Sequence, residues 1–230
     1  GKRFASIDVP STEDTRRAYR QMLLTAPGME QYISGVIFYD ETLQQSTKEG
    51  TPFIQLLKEC GVLPGIKVDL GAVAMPESPN EKITTGLDTL PQRLSEYAHM
   101  GAAFAKWRAV ITIGDGLPTT ANIRQNAKDL AQYAKHCQEA GIVPIVEPEV
   151  LMDGSNDVAR CEEVSRQVLS AVFEELKNAG VAVEGIILKT NMIVPGKESG
   201  QKASPDEVAE ATLKEFKDLL PDTLAGQAFL

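Results

Sequence analysis

The sequence has 230 residues, with 23 Lys and Arg against 32 Asp and Glu, a formal net charge of −9. With 43% hydrophobic, 24% charged and 6% aromatic residues it is neither a disordered nor a collagen-like chain. The acidic balance argues against a general nucleic-acid binder, which needs a basic face to neutralise phosphates, but leaves room for a local basic pocket. No apolar run approaches the ~20 residues that span a bilayer. The start, Gly1-Lys2-Arg3-Phe4, lacks the apolar core of a signal peptide. Cys60, Cys137 and Cys161 have no metal-like or redox-like spacing, which fits a reducing, cytoplasmic compartment. His99 and His136 are the only histidines, so no histidine-built metal site is expected.

Short apolar runs alternate with longer amphipathic ones. Ser11-Thr12-Glu13-Asp14 caps a helix over Arg16 to Leu24. Strands are expected from Ile33 to Tyr39 and from Gly65 to Asp69. Gly71 to Thr85, with Pro76, Pro79 and Asn80, reads as one long loop. A third strand covers Ala103 to Arg108, followed by a helix from Thr119 to Gln138 that ends near Gly141. A fourth strand, Ile142 to Glu147, precedes a helix from Asp157 to Asn178 that stops at Gly180. A fifth strand runs from Gly185 to Lys189. Ser204-Pro205-Asp206-Glu207 then opens a last helix, with Pro at its first position. The sixth strand is Ala225 to Leu230. The strand starts are 32, 38, 39, 43 and 40 residues apart, each the length of a strand plus a crossover helix. Such units make a parallel sheet covered by helices, either an open doubly wound sheet or a (β/α)8 barrel. No Gly-rich phosphate fingerprint follows any strand, so the dinucleotide-binding version has no support.

Charges gather where the strands end. Lys67 and Asp69, Lys106 and Arg108, Glu147 and Glu149, and Lys189 and Asn191 are each two residues apart. Two-residue spacing puts each pair on one face of its strand. Charge inside a buried parallel strand is expensive, and the C-terminal end of a barrel carries its active site. Four cations face three anions, so an anionic small molecule such as a sugar phosphate suits the ring. A set of salt bridges closing the barrel end is the plainer reading. Two lysines and two glutamates without a metal, catalytic His or thiol fit amine catalysis through a Schiff base. A nucleophilic lysine must fall from a pKa of about 10.4 to roughly 7–8, about 4 kcal/mol. A second cation about 4 Å away supplies about that much at an effective dielectric near 20. A carboxyl group then moves protons as the carbinolamine dehydrates. Trp107 faces away from Lys106 and is expected to pack under helices, with Cys137 and Cys161 as small core residues.

Six segments carry a resemblance: Arg17 to Thr25 (RAYRQMLLT), Ile33 to Leu43 (ISGVIFYDETL), Gly65 to Asp69 (GIKVD), Phe104 to Arg108 (FAKWR), Gly141 to Glu149 (GIVPIVEPE) and Leu188 to Gly196 (LKTNMIVPG). In order and spacing the chain resembles class I fructose-1,6-bisphosphate aldolase along essentially its whole length. FAKWR and IVPIVEPE are the specific motifs; GIKVD alone is weak. The resemblance implies a (β/α)8 TIM barrel and reversible cleavage to dihydroxyacetone phosphate and glyceraldehyde 3-phosphate, with no cofactor and no metal. It implies Lys189 as the Schiff-base nucleophile, Lys106 beside it, Glu147 as general acid/base and Glu149 as electrostatic support for the lysines. Arg108 and Arg3 would contact the distal phosphate, with Lys67 and Asp69 in the same polar ring. It implies sugar phosphates as partners, a homotetramer, and neither nucleic acid nor membrane. The family's first and eighth strands and its C-terminal tail lie outside these residues, so about six of eight units are expected, in one domain over 1–230. Thr190 stands where the family usually has Pro, and Leu70 where a Lys is common. The alternative is a non-catalytic or truncated aldolase-like protein that binds triose phosphate or serves as an interaction module. A transaldolase or deoxyribose-phosphate aldolase is disfavoured by the VEPE and AKWR motifs.

Overall fold

A computed structural model describes residues 2–229. The chain opens with α1 (Lys2–Ala5), α2 (Glu13–Leu24), β1 (Gly35–Phe38), α3 (Asp40–Leu43), α4 (Phe53–Glu59) and β2 (Leu63–Lys67). It continues through β3 (Ala72–Met75), β4 (Ser78–Thr84), α5 (Leu90–Met100), β5 (Phe104–Ile111), α6 (Thr120–Glu139) and β6 (Val143–Val150). It ends with α7 (Val158–Asn178), β7 (Ile187–Thr190), α8 (Pro205–Leu219) and β8 (Gly226–Phe229).

Six strands form one parallel sheet in the order β1-β2-β5-β6-β7-β8. The order never reverses. Parallel crossovers are right-handed, so every crossover helix falls on the same face of the sheet. That face is covered, and the other is the concave lining of a barrel arc. A doubly wound sheet needs a reversal of strand order to place helices on both faces, and none occurs here. The strands match the six expected from sequence; Leu230 lies outside the described residues.

The helix stops follow from their glycines. Gly141 and Gly180 sit just beyond α6 and α7 with φ of +72° and +73°, where a side chain is strained. Ile142 N–H donates back to Cys137 O (2.9 Å) and Val181 N–H to Leu176 O (3.0 Å), which satisfies the last carbonyls of each helix. Thr12, Thr119, Asp157 and Ser204 cap α2, α6, α7 and α8 at their N-termini. α6 buries Ile123, Ala127, Leu130, Ala134 and Cys137, a stripe at helical spacing. Against it lie Ala105, Trp107 and Ala109, the outward residues of β5. Trp107 is fully buried and its ring stacks on Tyr133 at 5.6 Å. Truncating such a residue to Ala costs about 3–5 kcal/mol. Burial raises the thiols of Cys137 and Cys161, which keeps them protonated as small apolar groups.

One element departs from expectation. Gly71 to Thr85 is not a loop; it contains the antiparallel hairpin β3–β4. Pro and Asn suggested a break, but a two-stranded hairpin has only edges. Pro79 sits next to the turn, beside an irregularity in register between Ala74 and Met75, where a missing donor is tolerated. The hairpin is anchored by Glu81, which is buried and accepts from Thr119 N–H and Oγ1, both at 2.7 Å. Asn122 and Asn126 of α6 donate to Lys82 O. No helix among the described residues is long and apolar enough to cross a membrane.

Candidate active site

The lining of the arc begins with an aromatic plate. A Cβ on Gly35 would meet the Phe104 ring at 2.9 Å, and one on Gly65 would come closer still. Both positions therefore take Gly so that Phe104 can lie across β1 and β2. Above this plate, on the same face, stand the charged residues. Lys67 on β2 is level with Lys106 on β5, and Arg108 on β5 is level with Glu147 on β6. Lys189 occupies the corresponding inward position on β7.

These side chains form three groups. Glu147 is only 2% exposed and stands between two lysines. Lys189 Nζ donates to its Oε1 at 2.8 Å, and Lys106 Nζ lies 2.8 Å from Oε2. The Lys106 contact is an ion pair without hydrogen-bond alignment, since Oε2 has no aligned donor among the described residues. Burying a carboxylate costs several kcal/mol. Two contacts of about 6 kcal/mol gross each, at an effective dielectric near 20, offset it. The second group is Arg108 Nε with Glu149, an ion pair that raises the guanidinium above its already high ordinary value. The third is Lys67, whose ammonium bonds the Asp69 carboxylate and the Asp69 carbonyl (2.8 Å), with the Tyr39 ring 6.0 Å away. The other Asp69 oxygen accepts from Arg108 N–H at 3.4 Å.

The structure thus gathers Lys67, Asp69, Lys106, Arg108, Glu147, Glu149 and Lys189 along one face, with several assignments changed. Lys106 and Lys189 meet through a shared carboxylate. Glu149 faces Arg108 and not the lysines, because its register level is Val110, two residues beyond Glu147. Asn191 leaves the lining: β7 ends at Thr190, the alternation stops there, and Asn191 Nδ2 donates to Ser165 Oγ of α7 at 2.9 Å. Arg3 is on α1 and has no ion-pair partner among the described residues. It lines a cavity of about 910 Å³ between α1, α2 and β1, with Lys2, Arg16 and Arg20 at its edge and Ile37 and Tyr39 behind. Sequence reasoning passed over Phe104, Tyr39 and Glu81. Phe104 had a signal in the glycines at Gly35 and Gly65; the partner of Glu81 is 38 residues away and gives none. No cluster of three or more His, Cys, Asp or Glu among the described residues is placed to hold a metal ion.

A model of the family described as fructose-bisphosphate aldolase class-I matches residues 1–230. The chain belongs to the class I fructose-bisphosphate aldolase family. It is 49% identical over 229 residues to a probable fructose-bisphosphate aldolase class 1 of Xylella fastidiosa (strain Temecula1), covering 100% of this chain and 69% of that protein. It is 48% identical over 230 residues to the cytosolic fructose-bisphosphate aldolase 4 of Arabidopsis thaliana, covering 100% and 58%. Among solved structures, fructose-bisphosphate aldolase from Plasmodium falciparum, in complex with TRAP and a small-molecule inhibitor, superposes with a TM-score of 0.96 at 41% identity. That match covers 99% of this chain and 66% of the other. The chain therefore spans 58–69% of the length of these aldolases. A likeness of 0.96 at that coverage makes the six-stranded sheet an arc of an aldolase barrel.

Proposed function

We propose that the protein carries out class I aldolase chemistry: metal-independent, reversible cleavage of fructose 1,6-bisphosphate to dihydroxyacetone phosphate and glyceraldehyde 3-phosphate, in glycolysis or gluconeogenesis. The observation that carries this is Glu147 held between Lys189 and Lys106, at 2.8 Å from each ammonium. Lys189 Nζ is the nucleophile toward the ketose carbonyl. Its attack gives a carbinolamine, and loss of water gives the protonated imine. That imine takes up the electron pair of the breaking carbon–carbon bond, while the hydroxyl beside that bond gives its proton to water and becomes the aldehyde carbonyl. Glu147 is within proton-transfer distance of Lys189 Nζ: its carboxylate takes the ammonium proton, which frees the amine to attack, and then returns that proton to the departing hydroxyl. Lys106, on the other oxygen of the same carboxylate, steadies the substrate oxygens. Arg108 turns from Glu149 toward a phosphate, and Lys67 and Asp69 border the same space. Arg3 faces the cavity beside β1 and is available to a second anionic group. The family resemblance supports a homotetramer, and relatives described as cytosolic or cytoplasmic support a cytoplasmic setting.

The test is to incubate the protein with dihydroxyacetone phosphate, add borohydride and map any adduct by peptide mass spectrometry, with Lys189→Met as control. A reduced adduct on Lys189, absent in the control, is the expected result. A folded chain that gives no adduct overturns the catalytic reading and leaves a triose-phosphate-binding or interaction module.

A further inference from the structure

The seam between β6 and β7 lacks two of the backbone donors of β6, and Thr190 Oγ1 reaches Pro148 O across it only at 3.5 Å. Val143 and Leu151 send their N–H groups to β5, to Ala103 O at 3.1 Å and Ile111 O at 2.9 Å. In a parallel strand alternate residues face alternate neighbours, so the even-numbered residues of β6 face β7. Four donors would lie on that side, at 144, 146, 148 and 150, but Pro144 and Pro148 have none. The paired register of the two strands ends at Val146 and Leu188. Above it only the Val150 N–H remains, and it donates to the side chain of Asn191, to Oδ1 at 3.1 Å. Glu147 and Lys189 lie between that last backbone pair and this side-chain strap.

The Asn191 amide is saturated. Its Nδ2 donates to Ser165 Oγ of α7 (2.9 Å) and to Met192 O (3.2 Å), and Oδ1 also receives the Thr190 hydroxyl (3.3 Å). It is 7% exposed. One side chain therefore joins the end of β6, the end of β7 and α7; it lies two residues after Lys189, and the Val150 N–H it holds lies three residues after Glu147. We propose that Asn191 is a positioning residue for imine formation: it sets the height of β7 against β6, and with it Lys189 against Glu147. The inference rests on the reading of Lys189 as nucleophile given above. A shift of about 1 Å in a reacting group is enough to cost about 100-fold in rate.

The experiment compares borohydride trapping of dihydroxyacetone phosphate in the wild-type protein, Asn191→Ala and Asn191→Asp, with folding checked by near-UV circular dichroism. Asp keeps an acceptor for Val150 N–H and can receive the Ser165 hydroxyl. The saturating trapping rate of Asn191→Ala is expected to fall about 10- to 100-fold, while half-saturation changes less than about threefold and Asn191→Asp recovers most of the rate. A purely structural role would move neither the rate at saturation nor the rescue by Asp. If Asn191→Ala does not fold, Asn191→Leu, of similar volume and with no hydrogen-bonding atom, takes its place. A folded Ala or Leu variant that traps at the wild-type rate, or an Asp variant as slow as Ala, overturns the inference. Absence of trapping in the wild type would instead strike at the nucleophile itself.

Discussion

Glu215 makes the stability of this fold fall as pH rises. It lies on α8 against α7, fully buried, and neither carboxyl oxygen has a hydrogen-bond partner among the described residues. Burial disfavours its charged form and pushes its pKa up from the ordinary 4.5 to about 7. Arg166 of α7 opposes this from a distance, and Glu162 adds to it. Below pH 4.5 the carboxyl is protonated in both folded and unfolded chains, and there is no penalty. Between the two values the unfolded chain releases its proton and the folded chain does not, so stability is lost with rising pH and levels off above about 7. At about 1.4 kcal/mol per pH unit the loss is about 1 kcal/mol at pH 5 and about 3 kcal/mol at pH 8. Glu215→Gln keeps the volume and removes the titration. Urea unfolding of both proteins at pH 5 and pH 8 isolates the effect, because every other titrating group cancels in the difference. The advantage of the Gln variant should grow by about 2 kcal/mol over that range. A difference independent of pH would refute the account, and would mean that water or a cation reaches the carboxylate.

Three other outcomes follow from the geometry. Glu81→Ala removes both acceptors at the start of α6 and leaves the Thr119 donors unpaired; it should lower unfolding stability by about 2–4 kcal/mol, read from urea midpoints, with Glu81→Gln less harmful. Gly65→Ala drives a methyl group into the Phe104 ring and should cost about 1–3 kcal/mol; in a double-mutant cycle Phe104→Leu should recover at least half of it, and strict additivity would show that the two do not touch. Glu147→Gln removes the carboxylate that Lys106 and Lys189 share and should slow borohydride-trapped imine formation by at least about 100-fold, measured on protein that still unfolds cooperatively.

The barrel arc was legible because its signals are local. Runs such as Ile142 to Val146 are apolar on both faces, and the glycines at 141 and 180 mark where helices must stop. The level of each charge along its strand was legible too, through two-residue spacing. The pairing was not. Arg108 and Lys106 share a face, and both glutamates were within reach of either. The pairs are staggered: each β5 cation reaches the β6 carboxylate two residues beyond its own level, Lys106 (level with Ile145) to Glu147 and Arg108 (level with Glu147) to Glu149. Asn191 misled for a related reason: spacing extends a strand's alternation indefinitely, whereas β7 stops at Thr190. The β3–β4 hairpin was hidden by residues that break central strands but are harmless at edges.

The charge count of the ring gains meaning once the pairs are known. Four cations and three carboxylates could describe a diffuse positive field or a closed set of salt bridges. The structure is neither. Lys67 is matched by Asp69 and Arg108 by Glu149, each one to one. The whole surplus positive charge therefore resides on the one carboxylate that serves two ammoniums. Glu147 cannot fully satisfy both: Lys189 has an aligned hydrogen bond to Oε1, whereas Lys106 has only proximity to Oε2. On the proposed aldolase chemistry, an incoming anionic ketose completes the coordination of that excess cation, at the point where the Lys189 amine and the Glu147 carboxylate already touch. On the same proposed chemistry, electrostatic attraction and bond making are thereby directed to one location, while Arg108 must leave Glu149 before it can meet a phosphate.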